Sequence, residues 1–268
     1  MIGKKLVTCI LIGLFGLTAL GYLLSSNDPH HSLINDLLFL LAPFCSTLGG
    51  LYAARAYGRN NTHGLSFYLI AAGLASLFIG EVLFLNYEII LKTQAFPSLA
   101  DVFYLLSYPL MLVGFLREVK NYKMKESSLD QVLLMIITVL LGFVVCYFGI
   151  YLAYQADESI LNNTIAMAYG VGDLFLIAIA LNILVLTFDF KGGKLFAAWL
   201  AICIGVFLTL VADILFAIYN MQFDQGIWLY RQIDLLWVGG YLSIAYGCFS
   251  VGHIIKEVQQ KIRNKLKK

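Results

Sequence analysis

Eight long apolar runs divide the chain, and short polar segments separate each run from the next. An α-helix rises 1.5 Å per residue, so about 20 apolar residues cross the roughly 30 Å hydrocarbon core of a bilayer. The pattern therefore predicts an all-α polytopic membrane protein with eight transmembrane helices. The predicted helices are Leu6–Leu24, Leu33–Tyr57, Leu65–Leu91, Ser98–Leu116, Leu129–Tyr154, Ile165–Phe188, Leu195–Tyr219 and Leu229–Ile255.

The composition agrees with this pattern. Hydrophobic residues make up 60% of the chain and charged residues 13%, whereas soluble domains carry about 45–50% and about 25%. The lipid bilayer is therefore the expected surroundings of the helices. The first run follows Lys4 and Lys5, as a secretory signal would, but its apolar core is long and no small-residue cleavage site follows. We interpret it as the first transmembrane helix.

Lysine and arginine residues fall on alternate polar segments. Positively charged segments stay on the cytoplasmic side of a membrane because they translocate poorly. With the N-terminus inside, only Lys92 and Arg231 of the 18 Lys and Arg residues lie on the outer side. The pattern predicts a multi-pass protein of the inner (cytoplasmic) membrane with both termini in the cytoplasm.

Residues of the third and fourth predicted helices recur in the seventh and eighth, 132 or 133 positions later. The aligned pairs are Glu81 with Asp213, Asp101 with Asp234, Tyr104 with Trp237, Tyr108 with Tyr241, and Gly114 with Gly247. Four helices separate equivalent positions, and an even number preserves direction. We therefore expect two parallel four-helix repeats, about 1–120 and 121–255, related by an axis along the membrane normal.

The last segment, residues 256–268, is predicted to be a basic amphipathic tail in the cytoplasm after the transmembrane domain 1–255. Ile255, Val258, Ile262 and Leu266 fall on one stripe of a helix. Three interpretations remain open: a coiled coil in a homodimer, an attachment to anionic lipid, or a solvated tail. A nucleic-acid partner is not expected.

Six carboxylates interrupt the apolar runs, at a cost of about 2.5–3.5 kcal/mol for an aspartate at the membrane centre. They are Asp36, Glu81, Asp101, Asp173, Asp213 and Asp234. Helix directions place all six in the outer half of the membrane, with aromatic residues at helical spacing beside them. Together they predict an acidic and aromatic cavity that is open to the outside. The predicted ligand-binding residues are Glu81, Asp101, Tyr104, Tyr108, Asp173, Asp213, Asp234, Trp237 and Tyr241. The alternative is that these acids cap helices or bond to neighbours and only stabilise the fold.

Few patterns favour an enzyme. Gly170-Val171-Gly172-Asp173 fits the GxGD of intramembrane aspartyl proteases, whose chemistry needs a second, facing aspartate. The preceding predicted helix carries only Asp130, at its inner end. The chain has no HExxH motif, P-loop or nucleophile–base arrangement, and the five cysteines lack metal-like spacing. No metal or cofactor is assigned, and a non-enzymatic role is favoured.

Four segments carry a resemblance to a known family. They are Phe96–Tyr104 with Tyr108-Pro109-Leu110, Tyr169–Leu174, Ala212–Phe216, and Asp234–Trp237 with Gly240-Tyr241. Together they resemble the multi-helix N-terminal membrane modules of bacterial and archaeal signalling proteins, which precede GGDEF, EAL or histidine kinase domains. The resemblance covers helices three to eight. It implies a sensory input module that passes a signal through its last helix to a cytoplasmic signalling partner.

The same resemblance implies an output domain, and the sequence to Lys268 holds none, so a stand-alone relative or an excised module is expected. A sensory or ligand-binding module is the leading hypothesis. A transporter of small solutes or cations is the alternative, and it needs helices broken at mid-depth and access from both sides. A structural or assembly subunit is a further alternative.

Overall fold

The computed structural model describes residues 3–24, 33–93, 96–122, 128–152, 154–156, 158–187, 193–225 and 227–266. The described residues form helices and no strand. The α-helices are α1 (Lys4–Leu24), α2 (Leu33–Tyr57), α3 (Thr62–Leu85), α4 (Leu99–Asn121), α5 (Ser128–Val144), α6 (Ile160–Leu186), α7 (Lys194–Asp224), α8 (Trp228–Arg231) and α9 (Asp234–Leu266). Two π-helical segments, Asn86–Leu91 and Val145–Tyr151, extend α3 and α5. Eight helices are long and apolar enough to cross a membrane, as the sequence predicts.

The helix ends differ from the predicted ones where polar residues continue a helix. The helix α6 begins at Ile160 because the Ser159 hydroxyl accepts a hydrogen bond from the Asn162 backbone at 3.1 Å and caps it. The helix α4 continues past Leu116 to Asn121, and α9 runs without a break to Leu266. The segment after residue 255 is thus a continuation of the last helix as far as it is described.

Six helices form a closed ring, in the order α2, α3, α4, α6, α7 and α9, with α9 returning to α2. The helix α1 packs outside the ring against α2 and α9, and α5 packs outside it against α6. Most of the α5 side chains are exposed apolar groups. Such a surface is suited to lipid and would be costly in water.

The two ends of the ring differ in charge. We call the end where α3 finishes and α4 begins the acidic end, and the end where α4 finishes and α7 begins the basic end. Large side chains without solvent exposure fill the ring towards the basic end, among them Trp199, Phe67, Phe115, Ile70 and Ile202. The ring is therefore closed at its basic half.

Glycines bring α3 against α4 and α7 against α9 at backbone distance. A Cβ on Gly114 would lie 2.9 Å from the Ser66 carbonyl oxygen, and a Cβ on Gly247 would lie 2.6 Å from that of Ala198. No side chain fits at such distances, so each crossing requires glycine.

Candidate functional site

A cavity of about 300 Å³ lies inside the ring in its acidic half. The nine predicted site residues all line it, namely Glu81, Asp101, Tyr104, Tyr108, Asp173, Asp213, Asp234, Trp237 and Tyr241. Its lowest lining residues include Met111 and Ile244, which lie 12 and 10 residues into α4 and α9. At 1.5 Å per residue, the floor is about 15–18 Å below the start of those helices.

Glu81, near the end of α3, receives two hydrogen bonds from tyrosines on opposite sides of the ring. The Tyr104 hydroxyl of α4 donates to Oε2 at 2.9 Å, and the Tyr241 hydroxyl of α9 donates to Oε1 at 2.7 Å. Gly80 makes room for the first ring, since a Cβ there would lie 2.6 Å from a Tyr104 ring carbon. The carboxyl of Glu81 thus links three helices across the cavity.

Asp213, on α7, has a matching environment. The Trp237 indole N–H of α9 donates to Oδ1 at 2.6 Å, and the Tyr108 hydroxyl of α4 lies 3.3 Å from Oδ2. The same hydroxyl lies 2.9 Å from Oδ1 of Asp173 on α6. A tyrosine hydroxyl has one hydrogen to donate. Tyr108 therefore donates it to Asp173, which is the closer of the two carboxyl groups.

Asp173 is the most deeply buried of these three acids, with 2% of its surface exposed. Its Oδ2 atom is buried and has no hydrogen-bond donor among the amide, indole and hydroxyl groups of the described residues. The neighbouring group is the carboxyl of Asp213, and the two carboxyls are close enough to share a hydrogen bond. Two adjacent carboxylates repel each other unless a proton or another cation lies between them. This pair is therefore the place in the cavity where a proton or another cation is needed.

The acids near the mouth also have structural partners. Asp101 accepts a hydrogen bond from the Ser98 backbone at 2.6 Å in a capping box at the start of α4, and the Tyr169 hydroxyl donates to its other oxygen. Asp234 lies in the first turn of α9, and its carboxyl group forms a hydrogen bond with the side chain of Tyr22 in α1. The capping alternative raised by the sequence therefore holds for Asp101.

One cation lies among the described lining residues. The Arg231 guanidinium is 2.9 Å from Oε1 of Glu88 and lies 4.3 Å from the centre of the Phe223 ring. Eight carboxyl groups share this lining with it, those of Asp36, Glu81, Glu88, Asp101, Glu158, Asp173, Asp213 and Asp234. The wall therefore carries far more acidic than basic groups.

A scan against protein-family models finds no match, and neither the curated proteins nor the solved structures give one.

Within the described residues, no three His, Cys, Asp or Glu side chains are grouped to hold a metal ion. Indole and phenol donors already occupy oxygens of Glu81 and Asp213, and an indole N–H cannot ligate a metal.

Four polar residues around the start of α6 were not predicted as part of the site. Gln155, Glu158, Asn162 and Asn163 all line the cavity. The Asn163 side chain donates to the Gln155 carbonyl at 2.9 Å and accepts from its N–H at 3.0 Å. These residues lie between predicted helices, where an apolar pattern carries no signal.

A second polar cluster lies at the basic end and was also missed. Glu118 has no solvent exposure, and its Oε1 lies 2.7 Å from Nδ1 of His63. The His63 ring stacks on Tyr57 at 5.0 Å, and Asn121 donates to Glu118 Oε2 at 3.3 Å. The sequence assigned Glu118 to a loop because the apolar run ends at Leu116, whereas α4 continues past it.

Proposed function

We propose that the chain is a membrane-embedded sensory or ligand-binding module, with the cavity open to the outside and α9 as the link to the cytoplasm. One observation carries the proposal. The helix α9 lines the cavity with Asp234, Trp237 and Tyr241 and continues to Leu266, and every residue from Glu257 to Leu266 is exposed. A single helix of 33 residues, about 50 Å long, joins the site to the opposite end.

The charge pattern supports the orientation. Of the 13 Lys and Arg residues that the structure describes, 11 lie towards the basic end, which the positive-inside tendency puts in the cytoplasm. The acidic end and the cavity mouth then face the outside of the inner membrane.

Two contacts support a duplication about an axis through the ring. Gly114 meets the Ser66 carbonyl and the Ile70 nitrogen, and Gly247 meets the Ala198 carbonyl and the Ile202 nitrogen. Each partner in the second crossing is 132 positions after its counterpart, while the glycines are 133 apart. The helix pairs thus share one packing register.

The hydrogen-bond partners of Glu81 and Asp213 follow the same relation between the two halves of the chain. Glu81 accepts from Tyr104 of its own half and from Tyr241 of the other half. Asp213 accepts from Trp237 of its own half, with Tyr108 of the other half as its second partner. The cavity is then a shared site formed by both repeats.

The closed basic half favours a receptor over a transporter. Trp199, Phe67 and Phe115 pack together below the cavity floor. The described irregular segments, the two π-helices and the non-helical residue Tyr219, lie towards the acidic ends of their helices. A transporter needs helices broken at mid-depth and a second access path.

The resemblance to membrane modules of GGDEF, EAL and histidine kinase proteins gives this receptor a place in signalling. The exposed stripe of Val258, Ile262 and Leu266 on the end of α9 is the part available to a cytoplasmic partner or a second copy. The signal would reach it through α9.

Coupling between the cavity and the far end of α9 is tested by substituting a cavity residue and measuring a distance to that end of the helix. Nitroxide labels are placed on cysteines at Arg59 and Ile262 in a background where the exposed Cys9 and Cys146 are serine, and the label distance is measured in nanodiscs. A receptor predicts that Asp213→Asn shifts the distance distribution and leaves the melting temperature near that of the parent. The matched control, Asp130→Asn, removes an acid outside the cavity and should change neither. A lower melting temperature with an unchanged distance would assign Asp213 a structural role instead.

A further inference from the structure

We infer that the cavity binds a small organic ammonium ion, with its charge beside the Asp173–Asp213 carboxyl pair and its carbon atoms against the aromatic wall. This assignment deepens the proposed receptor function and rests on it.

The charge of the wall favours a cationic ligand. The described lining residues include eight carboxyl groups and one guanidinium, that of Arg231, which is paired with Glu88. An anionic ligand entering this cavity would face several acids and lose its own hydration. A cation would replace water with carboxylate oxygens, and the low dielectric of the site strengthens that attraction.

The Asp173–Asp213 carboxyl pair points to the same ligand. Asp173 is 98% buried by area and lines the cavity, its Oδ2 has no amide, indole or hydroxyl donor among the described residues, and the Asp213 carboxyl lies beside it within hydrogen-bond reach. Two carboxyls this close hold either one shared proton or a cation between them. A protonated amine in the cavity would take the place of the shared proton, because it brings an N–H donor and a positive charge together.

The apolar part of the wall favours an organic cation over a metal ion. The wall includes aromatic and aliphatic side chains such as Phe39, Leu77, Phe84 and Phe216, which offer nothing to a metal. Ammonium groups bind well between carboxylates and aromatic faces. Arg231 already binds in this way at the mouth, between Glu88 and the Phe223 ring.

The size of the cavity limits the ligand. A volume of about 300 Å³ is at the small end of the range for ligand pockets, which is about 300–1,000 Å³. A monoamine or diamine with a short carbon chain fits such a cavity.

The test uses a cysteine inside the cavity and two reagents of opposite charge. Thr209 lines the cavity from α7, and Thr209→Cys changes its size little. On intact cells, 2-(trimethylammonium)ethyl methanethiosulfonate and its anionic 2-sulfonatoethyl counterpart react with this thiol. The reaction of unsubstituted protein is subtracted. The control is Leu161→Cys, an exposed position at the acidic end. Ala217→Cys, also in the lining, replaces Thr209→Cys should that variant fail to fold.

We expect the cation-to-anion rate ratio to be at least tenfold higher at position 209 than at position 161. Butylammonium should slow labelling at position 209 at least tenfold at saturation, while 1-butanol of the same size should not. Asp213→Asn should reduce both effects. The ammonium assignment would be overturned by equal cation-to-anion rate ratios at the two positions, or by equal protection from 1-butanol. Either result would show a cavity that is open to the outside and has no preference for ammonium ions. No reaction with either reagent at positions 209 and 217 would instead reject the outward-open receptor.

Discussion

A single added methyl group at Gly205 tests the packing of α7 against α9. A Cβ on Gly205 would lie 2.6 Å from the Gly240 carbonyl oxygen and 2.5 Å from a side-chain carbon of Ile244. Ordinary contacts of a Cβ begin at 3.4 Å. The Ile244 side chain can rotate, but the Gly240 carbonyl is part of the helix backbone. Gly205→Ala therefore forces the two helices apart by several tenths of an ångström.

The size of the effect follows from two opposing contributions. Overpacking a close-packed site costs about 1–3 kcal/mol. Replacing glycine by alanine within a helix stabilises the folded state by about 0.5–1 kcal/mol. The net loss is about 0–2.5 kcal/mol, which lowers the melting temperature of a domain of this size by up to about 10 °C, and the upper part of the range is expected because the Gly240 backbone cannot move aside.

The assay is thermal unfolding of purified protein in one detergent, followed by tryptophan fluorescence. Gly16→Ala is the matched control, because a Cβ on Gly16 has nothing within 4 Å and gains only the helical preference of alanine. Gly73→Ala is a second comparison. Its nearest atom belongs to the flexible Met111 side chain, and the Ser107 carbonyl is 3.0 Å away. We expect Gly205→Ala to be the least stable, Gly73→Ala intermediate, and Gly16→Ala equal to or above the parent. A Gly205→Ala protein as stable as Gly16→Ala would refute the backbone contact.

His63→Phe keeps a ring against Tyr57 but removes the 2.7 Å partner of the fully buried Glu118; it should cost about 1–3 kcal/mol of stability, measured by the same thermal assay, and a stability equal to that of the parent would show that Glu118 does not depend on this bond. Reporter proteins fused after Lys268 and within residues 157–163 should report opposite sides of the membrane, because charge alternates along the chain; reports from the same side would reject the eight-helix topology.

The helices could be predicted from the sequence because lipid selects for long apolar runs. The predicted start and end of α2, Leu33 and Tyr57, coincide with those of the structure. Helix ends with polar residues, such as the last turn of α4 at Asn121, were missed because hydropathy falls before the helix stops.

The members of the candidate site could also be predicted, since a carboxylate in an apolar run has few stable places. Their partners could not. The bond from Tyr241 to Glu81 joins residues 160 positions apart, and it exists only because the ring closes between α9 and α2. Helical spacing shows which aromatic residues lie beside an acid on the same helix. It gives no information about which residues of the facing helix contact that acid. The contacts between Gln155 and Asn163 were missed for a different reason, because these residues lie between the predicted helices, where the apolar pattern carries no signal.

The depth of the cavity floor has an electrical consequence. In the proposed orientation, with the starts of α4 and α9 at the outer edge of a hydrocarbon core about 30 Å thick, a floor about 15–18 Å below them would lie near mid-depth. A monovalent cation that reaches it from outside would cross at most about half of the membrane potential, because water in an open cavity carries the outside potential inward. A full crossing is worth about 2.3 kcal/mol per 100 mV, so the gain at about 100 mV is at most about 1.2 kcal/mol, or roughly sevenfold in affinity. An energised cell, negative inside, would thus bind the same ammonium ion up to several times more tightly than a depolarised one.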